Sequence, residues 1–235
     1  MGLPILETPM HSTVLPSSEQ RVEFRPFLVG EQKVLMIAQE SDDQNTQIRE
    51  MIRLINVCCD DVNAEKLPTV DLEWLFLQIR IKSVGETSNV TMDCSDCGVT
   101  TDVVVDLEST KVIQEEDVSN IVKLTDTISL QLTWATYEAM KGLDITDENT
   151  KTKDAFILMN RCITAVINGD EVMTRDDFSE KELLTFIDSM SIEMLEGVQE
   201  YLGSAPILQI ETGYKCKGCE KQEEVKLEGI GNFFG

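Results

Sequence analysis

Two Cys-x-x-Cys pairs, Cys94-Ser-Asp-Cys97 and Cys216-Lys-Gly-Cys219, are the residues of this chain best equipped for chemistry. A thiolate is a soft, strong metal ligand, and two of them spaced three apart in a tight turn aim at one point. Two such turns facing each other supply four sulfurs tetrahedrally, with zinc–sulfur distances of about 2.3 Å. The cation offsets thiolate charge and lowers the thiol pKa values, so the ligands bind deprotonated. With every position taken by protein, no water reaches the ion. The pattern therefore predicts a structural zinc on Cys94, Cys97, Cys216 and Cys219, not a catalytic one. Iron in the same cage is one rival. A redox dithiol is another, but it wants the motif to open a helix after a strand, and strand-like sequence follows both pairs here. Half of the chain lies between Cys97 and Cys216, so the intervening segment must return its ends to one place. Cys58, Cys59 and Cys162 sit in helical, apolar stretches and read as core residues; adjacent cysteines are poorly placed to share an ion.

Other catalytic constellations are missing from the sequence. Nucleophilic triads need histidine, and His11 is the only one, in a Pro-rich segment where an exposed loop residue is expected. There is no phosphate-binding glycine loop, no HExxH and no HxE element of a zinc deaminase. The acidic groups Asp42-Asp43, Asp60-Asp61, Glu115-Glu116-Asp117, Asp144/Asp147/Glu148 and Asp176-Asp177 fall beside turns or helix starts, where carboxylates cap and oppose the helix dipole. No calcium-loop spacing is present. An enzyme is not expected.

The elements that must position the cysteines can be read from periodicity. Leu3 to Phe27 is extended, because Pro4, Pro9, Pro16 and Pro26 exclude a helix interior and Val22–Phe27 alternates; Ile5 and Leu6 are expected to pair with that strand. Helices follow over Val29–Gln39, with Val34, Leu35, Ile37 and Ala38 on one side, and over Thr46–Cys58, with Ile48, Met51, Ile52, Leu54 and Ile55 inward. A third opens behind Pro68, carries Asp71 in its first turn and runs to about Ser83, with Gly85 ending it. The three are expected to form one packed layer. Thr87–Met92 and Thr100–Leu107 then read as strands around the first cysteine turn, and Asn120–Leu124 and Ile128–Thr133 as two more. A second helical region runs from Ala135 to Leu202. It includes a helix at Asp154–Cys162, a hairpin turn at Ile167–Val172, a capping box at Ser179–Glu182 and a helix at Ser191–Leu202. Ile207–Tyr214 and Glu223–Leu227 flank the second cysteine turn. Val103-Val-Val-Asp-Leu-Glu108 matches Glu223-Glu-Val-Lys-Leu-Glu228, an internal repeat of one hairpin.

The expected fold class is α+β: a split four-cysteine zinc ribbon of two β-hairpins, with helical regions before and between them. The segments are 1–85 (extended arm and helical layer), 86–110 and 204–235 (ribbon hairpins) and 111–203 (a mainly helical insertion).

At 235 residues, with 42% hydrophobic content, the chain can bury a sizeable core. Its 43 acidic and 20 basic residues give a net charge of −23, which repels phosphate backbones and anionic lipid. The lysines at 215, 217, 221 and 226 are interleaved with glutamates, so no basic patch forms. A solvated acidic surface or a basic protein partner accounts for the charge equally well. The N-terminus has no signal-peptide pattern, Gly2 lacks the Ser or Thr a myristoylation site needs, and no apolar run is long enough to span a bilayer. Synthesis in a reducing cytosol is expected, where paired cysteines point to metal before disulfide.

Several longer stretches carry a resemblance. Leu3-Pro-Ile-Leu-Glu-Thr-Pro9, Phe24-Arg-Pro-Phe-Leu-Val-Gly-Glu-Gln-Lys-Val-Leu-Met-Ile-Ala38, Asp71-Leu-Glu-Trp-Leu-Phe-Leu-Gln-Ile-Arg-Ile-Lys-Ser-Val-Gly-Glu86, both cysteine turns and Leu227-Glu-Gly-Ile-Gly-Asn-Phe-Phe234 resemble the T4-type bacteriophage baseplate hub protein family. Lys111–Gly203 matches it only loosely. The resemblance implies a late viral protein, a hub component or hub assembly factor without an established reaction. Its partners would be other phage baseplate hub and tail proteins, in the host cytoplasm during assembly and in the virion tail if it is retained. Neither nucleic acid nor a membrane is an expected partner. Phe233 and Phe234 have two readings, as docking anchors at a free end or as aromatics folded back on the ribbon; Arg25-Pro-Phe27 is likewise core or contact. Two alternatives from other classes stand beside this function: a zinc-ribbon regulator associated with nucleic acid, and a wall-degrading tail enzyme.

Overall fold

The computed structural model describes residues 8–39, 44–115, 118–143 and 150–233. Along the chain these form β1 (His11–Val14), β2 (Arg21–Phe24), α1 (Val29–Gln39), α2 (Gln44–Cys58), α3 (Thr69–Val84), β3 (Thr87–Asp93), β4 (Thr100–Asp106) and β5 (Lys111–Ile113). Then come β6 (Ile121–Lys123), β7 (Ile128–Leu132), α4 (Tyr137–Met140), α5 (Lys151–Cys162), β8 (Ile163–Asn168) and β9 (Glu171–Thr174). α6 (Glu180–Asp188), α7 (Ile192–Gly203), β10 (Ile207–Lys215) and β11 (Gln222–Glu228) complete the order. The fold is mixed α+β. The chain divides into two compact units: Met1–Ala64 with Val70–Ile113 and Pro206–Gly235, and Glu65–Thr69 with Gln114–Ala205.

In the first unit α3 is the central element. Val70, Leu77 and Ile81 lie on one helical face and share a core with Val90, Val103, Val105, Leu208, Ile210 and Leu227 of the later hairpins. Leu72, Leu75 and Ile79 fall on another face and are also buried, so this helix is apolar on more than one side, as a core helix must be. Gly85 ends it in a conformation with φ +127° that side chains rarely adopt. The β1–β2 hairpin is tied to α3 by Trp74 Nε1 donating to Thr13 Oγ1 at 2.9 Å. Asp71 is buried and accepts from the Ser17 amide at 2.9 Å and from the Ser17 hydroxyl. Its role is to hold the hairpin loop as well as to sit in a helix first turn. Burial raises its pKa, and the Ser17 hydrogen bonds work against that rise.

Two expectations for this unit change. His11 is in a strand, paired opposite Phe24 with the rings 5.7 Å apart, so the strand that meets Arg21–Phe24 is His11–Val14. Ile5 and Leu6 lie outside the described residues. The second change concerns α1. Ile52, Leu54 and Ile55 of α2 are buried as expected, but Val34 and Ile37 of α1 are exposed, and no apolar side chain described on α1 is buried.

The hairpins β3–β4 and β10–β11 form separate antiparallel pairings, and β5 adds to the second as a third strand, in the order β11-β10-β5. β5 was not legible as a strand. It pairs Ile113 with Ile207 and Lys111 with Gln209, placing the outgoing and returning chains side by side. That pairing is how a long insertion returns its ends to one place. Glu211 on β10 takes Lys226 at 3.1 Å and Lys111 at 3.5 Å from the flanking strands, a cross-strand charge pairing of the stabilising kind.

The second unit is built on a four-stranded antiparallel sheet, β6-β7-β8-β9, so the segment between the ribbon hairpins is more than a set of helices. The β8–β9 turn at Gly169-Asp170, with Gly169 at φ +60°, is the hairpin the Asn-Gly-Asp sequence implies. Leu130, Leu132, Ile163 and Val166 from the sheet share a core with Met159 of α5, Leu183 and Ile187 of α6, and Val198 and Tyr201 of α7. Trp134 stacks on Tyr201 at 5.9 Å. Ser179 and Glu182 close the capping box reciprocally, and Ser191 caps α7.

Candidate metal centre

Each cysteine pair sits in a six-residue turn that closes a hairpin of seven facing residue pairs: Cys94–Val99 between Asp93 and Thr100, and Cys216–Lys221 between Lys215 and Gln222. The turns repeat each other bond for bond. The Cys94 amide donates to Val99 O at 3.2 Å and the Gly98 amide to Cys94 O at 2.9 Å; the Cys216 amide donates to Lys221 O at 2.9 Å and the Glu220 amide to Cys216 O at 3.0 Å. The fifth residue is left-handed in both, Gly98 at φ +68° and Glu220 at φ +62°. In each turn the first cysteine is buried and the second exposed.

The repeat in register differs from the one suggested by the Leu-Glu endings. Cys94 corresponds to Cys216, so Val103 and Val105 correspond to Val225 and Leu227 rather than to Glu223 and Val225. The offset between the two alignments is two residues. An even slip leaves the same side chains on the same sheet face, which is why the wrong match still looked apolar-polar correct.

The four sulfurs meet. Cys94 Sγ lies 3.6 Å from Cys219 Sγ, Cys97 Sγ lies 3.6 Å from Cys216 Sγ, and all four fall within 4.8 Å of one another. A disulfide requires about 2.05 Å, so these are free thiols. A tetrahedron with metal–sulfur bonds of about 2.3 Å has edges of about 3.8 Å, close to the separations found. The donor set therefore fits a tetrahedral, thiolate-loving ion such as zinc. The Cys219 and Gly218 amides, the latter 3.3 Å from Cys216 Sγ, bring that thiol down to about 6. Cys97 is favoured as a thiolate by the Val99 amide, yet partial desolvation and the neighbouring sulfurs push it up to about 12. Four thiolates this close repel unless a cation sits among them, which is the electrostatic reason to expect one.

A polar ring braces the sulfurs, and sequence reading missed it. Glu223 on β11 accepts from the Ser95 hydroxyl, from Tyr214 Oη at 2.7 Å and from Lys221 Nζ at 3.1 Å. Lys221 also reaches across to Asp96 at 2.7 Å. The Ser95 hydrogen bond, then those of Tyr214 and Lys221, hold the Glu223 carboxyl near 2, while its acceptance pushes the Tyr214 phenol up to about 12. Lys221 and Glu223 had looked like mere alternation of charge; their joining of the two turns depends on a partner far away in sequence. The second turn also touches β4 at Lys217, whose amide donates to Thr101 Oγ1 at 3.2 Å. A Cβ on Gly218 would come within 2.9 Å of Val99 Cγ2, so close approach requires glycine there.

The remaining candidate residues fall elsewhere. Cys58, Cys59 and Cys162 are buried, and burial pushes their thiols up to about 11, 12 and 11, which makes them inert packing groups. Phe233 is fully buried in the core that holds Val90 and Leu208. It is a core residue, not a docking anchor, because the chain turns back after β11 through Ile230–Phe233. Phe234 lies outside the described residues, as do Asp42, Asp43, Glu116, Asp117, Asp144, Asp147 and Glu148. Asp177 accepts from the Thr174 amide at 2.8 Å and its hydroxyl at 2.9 Å, a turn role. Among the described residues, Cys94, Cys97, Cys216 and Cys219 are the one cluster suited to a metal, and no helix is long and apolar enough to cross a membrane.

Two sulfur-bearing hairpins packed on a core helix define an α+β protein with a four-cysteine cluster at its surface. The family model described as T4 bacteriophage base plate protein matches residues 8–235, nearly the whole chain. The chain belongs to that family. Comparison with curated proteins gives no match, and comparison with solved structures gives none.

Proposed function

We propose that this chain is a hub subunit, or a hub assembly factor, of a contractile phage tail baseplate, working through protein–protein contact and not through a chemical reaction. The observation that carries the proposal is the baseplate family match over residues 8–235. The stretches that suggest the hub in particular are Phe24–Ala38 and Asp71–Glu86. The metal is structural zinc on Cys94, Cys97, Cys216 and Cys219: a closed four-sulfur set leaves no coordination position for a substrate. The ion fixes two hairpins that the chain makes half its length apart, and the rigid result is what neighbours bind. The net charge of −23 favours basic protein partners over nucleic acid.

Elemental analysis of purified protein should give one zinc per chain, with no iron and none of the visible absorption of an iron–thiolate centre. Co-purification from infected cells should recover other hub proteins in stoichiometric amounts. A chain that stays alone in the presence of every tail component removes the hub reading. Mass spectrometry of mature virions then separates a resident subunit, present in the particle, from a factor that leaves.

A further inference from the structure

The four sulfurs of the metal centre are not equally reachable. Cys97 and Cys219 are exposed, whereas Cys94 and Cys216 are buried, at 3% and 1% exposure. Each exposed sulfur faces a buried one from the other turn: Cys219 Sγ lies 3.6 Å from Cys94 Sγ, and Cys97 Sγ lies 3.6 Å from Cys216 Sγ. Those two contacts use every cysteine once, so both can become bonds in the same molecule. Metal-bound sulfurs are all thiolates, so access decides which of them meets an oxidant first. A solvent-accessible thiolate beside a second sulfur is the arrangement in which oxidation ends in a disulfide and not in a sulfinic acid.

Bonds that involve no sulfur also hold the two hairpins together here. Lys221 Nζ reaches Asp96 at 2.7 Å, Glu223 accepts from the Ser95 hydroxyl, and the Lys217 amide donates to Thr101 Oγ1 at 3.2 Å. They do not replace the stability an ion supplies, but they keep the turns face to face while one sulfur attacks another. Closing from 3.6 Å to about 2.05 Å is within reach of side-chain rotation. The rival is a bridge inside each turn, since all four sulfurs lie within 4.8 Å of one another. Such bridges would leave the hairpins unjoined. Cross-turn bridges join residues 125 and 119 positions apart, which constrains the unfolded chain far more. Exchange among the sulfurs then settles on the pairing that keeps both hairpins on the α3 core.

We infer that the four-cysteine cluster is a redox-convertible staple, in which hydrogen peroxide exchanges the ion for two disulfides, Cys94–Cys219 and Cys97–Cys216, an inference that rests on the four-sulfur centre proposed above. The exposed thiolate of Cys97 or Cys219 attacks a peroxide oxygen; the O–O bond breaks, hydroxide leaves, and the sulfur becomes a sulfenic acid. The facing buried thiolate then attacks that sulfur; the S–S bond forms, the S–O bond breaks, and a second hydroxide leaves. Each bridge passes one electron pair to one peroxide. With both bridges formed, no thiolate is left to hold Zn²⁺, and it is lost to solvent. This suits a tail component made in a reducing cytosol and then carried into oxidising surroundings: the metal goes and the hairpins stay joined.

Disulfide mapping of the full, zinc-loaded chain tests it. After hydrogen peroxide treatment and alkylation of remaining thiols, trypsin and an Asp-specific protease place each cysteine on its own peptide, 93–95, 96–101, 216–217 and 218–221. Zinc should appear in solution as thiols disappear, with peptide 93–95 joined to 218–221 and 96–101 joined to 216–217. In chelator the oxidised chain should keep the amides of β3, β4, β10 and β11 protected, while the reduced chain should lose roughly tenfold or more of that protection. Bridges of 93–95 to 96–101 and of 216–217 to 218–221, sulfinic acids without bridges, or lost protection on oxidation overturn the inference and leave the metal centre standing. A chain that binds no metal removes the centre, and the redox staple falls with it.

Discussion

The two units solve the problem of holding a core together by different means. The Gln114–Ala205 unit has a sheet whose strands are mostly neighbours in sequence, three helices that bury their apolar faces on it, and serine caps at α6 and α7. It has the ordinary apparatus of a small α+β core. The other unit brings together two hairpins separated by half the chain, and no strand of one sheet pairs with a strand of the other. Its apolar core around α3 is supplemented by four sulfurs and a polar ring at the far end of the hairpins. Loop-closure entropy grows with separation, so a metal clip gains most where the joined segments are most distant in sequence. The difference teaches where chelation should hurt.

The largest effect expected is that of Cys216→Ser. It should abolish zinc binding and expose β3, β4, β10 and β11 to amide exchange, since structural zinc carries about 10 kcal/mol or more in small domains. The β7 and β8 amides should stay protected. Full metal retention would refute four-sulfur ligation, and equal loss of protection in both units would erase the contrast drawn between them. Acid should act in the same direction, because protons compete with the metal for thiolates.

Next comes Leu130→Ala, fully buried in the other unit. It should cost about 3 kcal/mol by denaturant unfolding and leave zinc content at one per chain. Gly218→Ala comes third. Its clash with Val99 should destabilise the cluster by about 2 kcal/mol, and Val99→Ala in the same chain should recover most of that, a coupling that independent sites would not show.

The smallest effects sharpen the comparison within the repeat. Gly98→Ala, in a left-handed position, should lose about 1 kcal/mol. The reverse change at the matching position, Glu220→Gly, should lose nothing and gain up to about 1 kcal/mol. In α6, Ser179 donations hold the Glu182 carboxyl below its ordinary 4.5. A lowered carboxyl stabilises the fold above its unfolded value, and the contribution disappears as pH falls through the folded one. Ser179→Ala should therefore cost about 1 kcal/mol at neutral pH and less in acid, read by thermal melts across pH.

Much of this molecule is local, and the local part could be read from residues alone. α1, α2 and α3, both cysteine hairpins, the Gly169-Asp170 turn and the Ser179 box all follow from period, capping chemistry and turn residues that act within a few positions. The four cysteines declared themselves because paired spacing is a chemical pattern. What stayed hidden was non-local. β5 is three residues that become a strand only beside Ile207–Gln209. His11 became a strand residue because Phe24 lies opposite. Phe233 has two readings in the sequence, anchor or folded-back aromatic, and only the turn after β11 places it in the core.

By itself the sequence determined the helices, the hairpins, the acidic surface and the thiol ligand set, since each rests on bonds and periodicities a few residues long. Tertiary structure alone decided that the sulfurs stand 3.6 Å apart in their cross-turn pairs and that Glu223, Tyr214, Lys221 and Ser95 form one brace. It alone decided that Val29, Val34, Met36 and Ile37 of α1 stand exposed. Those are relations between segments far apart in the chain, and their energies depend on distance and burial, which no single stretch of residues contains.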